Sequence, residues 1–279
     1  MPIHDQGYRR YEGERAPRGR AWTVIARTGL RARLAQRAFL GLLIVSWLPF
    51  FVRAVQIYAA ANVPQASFLA PTPETFRQFL DQQEVWVFFL TVYGGAGLIA
   101  HDRRANALQI YLSKPLTRAE YVFGKFAILA TWLLLVTWVP AILLLVVQVA
   151  FAGNFDFLLK NVYLFPAITL FAFVQVAAIT SAMLALSSLS NSSRFVGILF
   201  AALLFFSQAL FGVLRVVTGD TRLAWMSLPN AVNQVGDAIF RLPVRYDAPW
   251  PLALGMVILL IGLSALTLER RVRGVEVVA

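Results

Sequence analysis

Residues 126–150 read FAILATWLLLVTWVPAILLLVVQVA, a run of 25 residues without Asp, Glu, Lys or Arg. An α-helix needs about 20 apolar residues to cross a bilayer core about 30 Å thick, so this run predicts a membrane span. Backbone groups that face lipid must satisfy their own hydrogen bonds, which restricts such a span to a helix. The stretch therefore predicts an all-α integral membrane protein.

Five further apolar runs of similar kind bring the predicted spans to six. The six spans cover residues 38–59, 85–100, 126–150, 162–186, 195–216 and 249–268. The second run is short, and we expect its helix to begin a turn earlier, near Asp81. A hydrophobic fraction of 59%, a charged fraction of 14% and a mean hydropathy of +0.67 place the chain outside the soluble range. The absence of cysteine excludes disulfides and thiolate metal sites.

The distribution of basic residues predicts the orientation. With both termini in the cytoplasm, the inner segments hold 18 of the 25 Lys and Arg residues, and the inner face carries the whole net charge of +11. This topology satisfies the positive-inside rule, and the reverse topology breaks it. Topology and anionic lipid explain the basic charge, so we expect no nucleic-acid partner.

The N-terminal residues divide into two parts. Residues 1–20 form a polar, Arg-rich tail, whereas residues 21–37 carry Trp22, Ile25 and Leu30 at near-helical spacing with arginines between them. This pattern predicts a helix on the inner leaflet rather than a cleaved signal peptide. It would serve either as an elbow that docks on a partner or as a plain lipid anchor.

The predicted spans offer no catalytic chemistry. Arg215 lies at the outer boundary of span five, and spans two to six otherwise contain no Asp, Glu, Lys, Arg or His. This disfavours proton-coupled transport, because a coupled proton needs an ionisable site. Phe126 follows Gly124-Lys125 where a P-loop needs Ser or Thr, so the chain has no Walker motif. We expect no catalytic residue, no metal and no cofactor bound by this chain.

Small and neutral polar residues occur inside the spans. Gly94, Gly95 and Gly97 lie together in span two, and Gln175 and Ser181 lie in span four. Small residues let helices approach closely, so these positions suit a pathway, a dimer contact or ordinary packing within the bundle. In span three, a proline at position 140 predicts a kink.

Residues 217–248, between spans five and six, have apolar positions at helical spacing around Ala231, Val232 and Val235. They predict a short interfacial helix or re-entrant hairpin on the outer side. This segment would act as a gate over the exit or would be a loop resting on lipid.

Residues 101–125, between spans two and three, read HDRRANALQIYLSKPLTRAEYVFGK and are basic and amphipathic. Thr117 and Glu120 have capping-box spacing, in which both side chains satisfy backbone donors at a helix start. Pro115 separates a short helix over residues 104–113 from one that begins near Arg118 and runs into span three.

The same segment carries a degenerate family motif. It consists of Ser113-Lys114-Pro115-Leu116-Thr117-Arg118, followed by Glu120, Tyr121 and Gly124-Lys125. This pattern resembles the permeases of type-2 ATP-binding-cassette (ABC) transporters, which commonly have Gly-Thr-Leu where Ala105-Asn106-Ala107 stands here. Six spans, inside termini and an interfacial N-terminal helix are also similar, so the resemblance covers residues 22–273.

The resemblance implies a permease subunit of an ABC exporter in the inner membrane of a bacterium. A separate ATPase would bind ATP and Mg, and two permeases, identical or paralogous, would form the pathway between them. Residues 101–125 would dock the ATPase. The implied docking residues are Arg103, Arg104, Leu108, Ile110, Tyr111, Leu112, Lys114 and Arg118.

The residues themselves leave two alternatives open. One is a secondary transporter or channel that works without ATP, and the other is a membrane scaffold or assembly factor without a pathway. In each case residues 38–273 would form the membrane domain and residues 274–279 a short tail. An enzyme is least favoured, because no catalytic constellation occurs.

Overall fold

The computed structural model of the protein describes residues 20–107, 116–153 and 155–272. Within these ranges every regular element is a helix, which confirms the all-α prediction. Besides short 3₁₀ turns, the elements are α1 (Ala21–Leu34), α2 (Arg37–Val45), α3 (Leu48–Asn62), α4 (Pro73–Gly95), α5 (Gly97–Arg104), α6 (Arg118–Val136), α7 (Trp138–Ala152), α8 (Asp156–Lys160), α9 (Leu164–Leu189), α10 (Ser193–Thr218), α11 (Leu228–Ile239) and α12 (Trp250–Arg271).

Among the described residues, six helical stretches are long and apolar enough to cross a membrane, as the sequence predicted. They run over Arg37–Asn62, Pro73–Arg104, Arg118–Ala152, Leu164–Leu189, Ser193–Thr218 and Trp250–Arg271. Spans one, two and three are each built from two helices, α2 with α3, α4 with α5 and α6 with α7. The predicted kink in span three lies at Thr137, three residues before Pro140, because proline cannot donate to the carbonyl of Val136.

Span two is longer than the sequence suggested. Its helix α4 begins at Pro73, not near Asp81, because Thr72 and Thr75 form a reciprocal cap at its first turn. The Thr72 backbone N–H donates to Thr75 Oγ1 at 3.0 Å. As a result, the polar residues 73–84, which the hydropathy pattern left outside the span, form the N-terminal half of the same helix.

The N-terminal helix α1 packs against α6, the first half of span three. A Cβ atom on Gly124 would lie 2.9 Å from Ile25 and 3.1 Å from the Trp22 carbonyl oxygen, so glycine at this position lets the two helices touch. The Trp22 and Phe123 rings pack edge to face with centroids 4.9 Å apart. Helix α1 is therefore packed on this chain, and its role as an elbow that docks on a partner or as a lipid anchor stays a prediction.

Helix α11 lies within the bundle. Most of its residues are buried, and it packs against α12, α10, α9 and α4. Ser227 caps its start by accepting from the Asn230 backbone N–H at 3.5 Å. The expected helix is confirmed, whereas the alternative of a loop resting on lipid is wrong, because both faces of α11 have apolar or polar partners in the protein.

The buried apolar side chains form two main clusters. One contains Tyr121, Leu129 and Met183 and lies toward the end of the bundle that carries the described parts of residues 101–125, here called the segment end. The other contains Phe171 and Phe240 and surrounds α11 at the opposite end, here called the far end. Each end also holds a polar network.

Candidate functional site

The base of the 101–125 segment is closed by three side chains. Lys125 Nζ lies 2.7 Å from the Asp102 carboxylate, and the Tyr121 hydroxyl donates to the same carboxylate at 2.7 Å. The Lys125 ammonium also lies 5.5 Å from the centroid of the Tyr121 ring. Because Asp102 belongs to α5 and the other two to α6, these contacts hold the two ends of the segment together.

The predicted capping box is present at the start of α6. Thr117 Oγ1 accepts from the Glu120 backbone N–H at 3.2 Å, and Glu120 Oε2 accepts from the Thr117 backbone N–H at 3.0 Å. Helix α6 then continues without interruption from Arg118 to Val136. One arm of the segment is therefore a capped helix that forms the first half of span three.

The other arm is held by a serine from span four. At the break between α4 and α5, Ser187 Oγ accepts from the backbone N–H groups of Ile99, at 3.1 Å, and Ala100, at 3.0 Å. The same hydroxyl donates to the Ala96 carbonyl at 2.8 Å and is fully buried. Sequence reasoning missed this contact, since a serine at the end of an apolar run is too common to signal it.

Three of the eight predicted docking residues lie in the described ranges. Arg104 and Arg118 are exposed on either side of the segment, and Arg103 is half-buried. Five lie outside the described residues, as do residues 1–19 and 274–279; the five are Leu108, Ile110, Tyr111, Leu112 and Lys114. A docking role for all eight stays a prediction.

The glycines of span two face the chain's own side chains. A Cβ on Gly94 would meet Phe39 at 3.4 Å, and one on Gly95 would meet Met183 at 2.7 Å. On Gly97 it would lie 2.6 Å from the His101 ring. All three positions therefore pack within this chain, and a pathway or dimer role for them stays a prediction.

Gln175 lines a partly open cavity of about 350 Å³, whose other walls come from α4, α9, α10 and the start of α11. The walls are almost entirely apolar. The Gln175 side chain is 1% exposed, and its Oε1 atom accepts no hydrogen bond from any described residue. Ser181, the other predicted residue of span four, does not line this cavity and donates instead to the Ala178 carbonyl at 3.0 Å.

A carboxylate also lines this cavity. Glu84 lies one residue before Val85, where hydropathy places the start of span two, so the predicted span does not include it. Its place on the wall follows from the early start of α4, which carries it on the same helix as Val85 and Phe88. The cavity therefore combines apolar walls with the half-buried carboxylate of Glu84 and the buried amide of Gln175.

The far end holds a buried cation. Arg77 is fully buried, and its Nε atom lies 3.1 Å from Asp237. Its Nη2 atom donates to the Asn233 side chain at 2.9 Å, and its guanidinium lies 4.4 Å from the Phe171 ring centroid. Asp81, one turn along α4, is a second ionic partner. Arg77 thus joins α4 to α11.

A second arginine completes this network from the loop after α11. Arg245 contacts Asp81 at 2.6 Å and Asp237 at 2.8 Å. Burial raises the pKa of the Asp237 carboxyl, and the guanidinium groups of Arg77 and Arg245 oppose that rise. No sequence pattern indicated this cluster, because α4 is far in the chain from α11 and the loop that carries Arg245.

The fold and these sites define a polytopic helical membrane protein. The described ends of its 101–125 segment are held together by side-chain contacts, and an apolar cavity lies between its spans. A family model described as ABC-2 family transporter protein matches residues 85–268, which is more than half of the chain. The chain belongs to this family. A search of curated proteins gave no match.

Proposed function

We propose that this protein is the membrane permease subunit of an ABC exporter, driven by a separate ATPase that docks on the 101–125 segment. The observation that carries the proposal is the closed base formed by Asp102, Tyr121 and Lys125. A docking element must transmit displacement, and a segment whose two ends are tied together moves both adjoining helices. Membership of the ABC-2 family supports the same class.

The described contacts give the displacement a route into the membrane. Helix α6 is continuous from its cap at Thr117 to Val136, so it would carry motion directly into span three. Helix α5 is the second half of span two. Ser187 bonds the break between α4 and α5 and so joins span two to span four. ATPase closure would therefore reach three spans from one docking site.

The ATPase would supply ATP and Mg binding, since this chain has no P-loop. Leu108, Ile110, Tyr111 and Leu112 would pack in its groove or against the bundle. The basic residues would be charge partners or lipid contacts; they are Arg103, Arg104, Lys114 and Arg118. The complex would contain a second permease, identical or paralogous, and would lie in the inner membrane of a bacterium.

The cavity beside Gln175 is the best candidate for a substrate contact. Its apolar walls suit a lipophilic or amphipathic molecule, and the free Oε1 acceptor of Gln175 would receive a hydrogen bond from that molecule. Export across the membrane or into its outer leaflet would follow when ATPase closure changes the packing of spans two and five around this cavity.

A docking variant tests this function. The tagged chain is purified with its ATPase, and the double substitution Leu108→Asp with Tyr111→Asp is compared with Val244→Asp, an exposed position at the far end. We expect the double variant to lose both the ATPase and stimulated hydrolysis, and Val244→Asp to keep both. Retention of both by the double variant would contradict docking at this segment.

The rival class is tested by flux. Liposomes that contain this chain alone are loaded with candidate lipophilic substrates, and release is followed without ATP. We expect no release above that of empty liposomes. Substrate-specific release by the chain alone would favour a secondary transporter or channel.

A further inference from the structure

A second cavity, of about 410 Å³, lies at the segment end between α1, α5 and α6. Its walls are more polar than those of the first cavity and include Arg33, His101 and Lys125. Apolar side chains of Ile25, Leu98 and Ile128 complete it. Because α5 and α6 belong to spans two and three, the cavity lies between the N-terminal helix α1 and these two spans.

The charges around this cavity do not cancel. Lys125 is paired with Asp102 at 2.7 Å, and that carboxylate also accepts from Tyr121. Arg33 has no carboxylate within ion-pair distance among the described residues, and its hydrogen bond there is to the Gln36 amide at 3.3 Å. One cation is therefore left without a counter-ion.

The Arg33 guanidinium is also partly shielded from water. It is half-buried, and burial lowers its pKa, with an opposing effect from Tyr93. A cation removed from water without an acidic partner is stabilised by an anion that enters the site from outside. The His101 ring, held against Gly97, and the Thr28 hydroxyl add hydrogen-bonding groups beside it.

The rest of the cavity selects the kind of anion. Ile25, Leu98 and Ile128 offer an apolar wall next to the cation, which a small inorganic anion would leave uncovered. A molecule with a phosphate at one end and an acyl chain at the other would satisfy both parts. Basic pockets between membrane helices at the cytoplasmic side are known places for anionic headgroups.

We infer that this cavity binds the phosphate headgroup of an anionic phospholipid, with Arg33 as its ionic partner and the acyl chain along Ile25, Leu98 and Ile128. The bound lipid would join α1 to the base of the 101–125 segment. This binding is independent of ATP-driven transport, since it needs only the bilayer and the described side chains.

The test measures lipid retention by native mass spectrometry on the full chain, titrated with phosphatidylglycerol or phosphatidylcholine. We expect saturable phosphatidylglycerol binding that Arg33→Gln weakens by about fivefold or more. Arg27→Gln is the matched control, because it removes the same charge from an exposed position on the same helix outside the cavity. Arg33→Lys should recover part of the affinity.

Three outcomes would overturn the inference. Equal weakening by Arg27→Gln and Arg33→Gln, or equal binding of phosphatidylcholine, would mean diffuse surface attraction rather than a site. Displacement of the lipid by millimolar inorganic phosphate or glycerol phosphate would mean that a free anion suffices. Thermal unfolding of each variant checks the fold, and an unchanged midpoint in Arg33→Lys keeps the comparison valid if Arg33→Gln is unstable.

Discussion

Lys125 Nζ lies 2.7 Å from the carboxylate of Asp102, and this ion pair joins the last residues of span two to the first residues of span three. Both side chains are largely buried, with 12% and 17% of their surface exposed. The described ends of the 101–125 segment therefore meet at one closed base. The proposed function depends on this base being rigid.

Loss of the Asp102–Lys125 ion pair should uncouple stimulated ATP hydrolysis from docking of the ATPase. In Asp102→Asn the ion pair is lost, and we expect the ATPase to remain bound while stimulated hydrolysis falls by about fivefold or more, the size of a typical coupling free energy. Glu269→Gln, which neutralises an exposed carboxylate near the same end of the bundle, serves as the control. Unchanged hydrolysis in Asp102→Asn would show that the base does not transmit motion.

Ser187, which contacts the break in span two, should contribute more to the free energy of unfolding than its neighbour Ser188. Ser187→Ala leaves two backbone N–H groups and one carbonyl without their partner, which should lower the free energy of unfolding by about 1–3 kcal/mol. Ser188→Ala is equally buried but loses only a bond to Ala185 in its own helix. Thermal unfolding in detergent should give a lower midpoint for Ser187→Ala than for Ser188→Ala. Equal midpoints would mean that the Ser187 hydroxyl does not hold span two to span four.

The contact between α1 and span three should not tolerate a methyl group. Gly124→Ala would press against Ile25 and the Trp22 backbone, and overpacking of this kind costs about 1–3 kcal/mol. Gly255→Ala, in span six, has nothing within 4 Å of the added atom and should be neutral or stabilising. Both variants gain helix propensity, so their difference in unfolding midpoint isolates the contact. A Gly124→Ala protein as stable as Gly255→Ala would place α1 away from span three.

The buried arginine at the far end should contribute strongly to stability. Arg77→Met removes the buried partner of Asp237 and leaves that carboxylate with Arg245 alone, so we expect the loss to approach the cost of breaking a buried pair, about 3–5 kcal/mol. Arg222→Met removes an exposed arginine that pairs with Asp220 at 3.1 Å, a change worth about 0–1 kcal/mol. Chemical unfolding curves compare the two directly. Similar losses in both variants would mean that the network around Arg77 is open to water.

The sequence predicted the features that depend on local spacing. Hydropathy located six spans, and the positions of Thr117 and Glu120 predicted the cap that begins α6. Helix α11 was predicted, but its environment was not, because the same apolar spacing suits a helix resting on lipid and one packed in the bundle. Glu84 was missed because hydropathy does not detect the polar N-terminal half of α4, which begins at the cap formed by Thr72 and Thr75.

The polar networks could not be predicted, because their members are distant in the chain. Arg77 and Asp237 are 160 residues apart, and Ser187 lies 87 residues from Ala100. Even Asp102 and Lys125, which bracket one segment, gave no sign that their side chains meet. Such pairs depend on how the spans pack, and one sequence contains no direct record of that packing.

The central claim is that a separate ATPase docks on the 101–125 segment, and cysteine cross-linking tests it most directly. The chain has no native cysteine, so single substitutions at the exposed positions Ala105→Cys and Ala119→Cys, with Val244→Cys as the far-end control, report only the chosen site. A bifunctional thiol–amine reagent is applied to the purified complex. We predict cross-links to the ATPase from positions 105 and 119 and none from position 244. An ATPase that cross-links only from position 244, or no ATPase in the complex, would contradict the account.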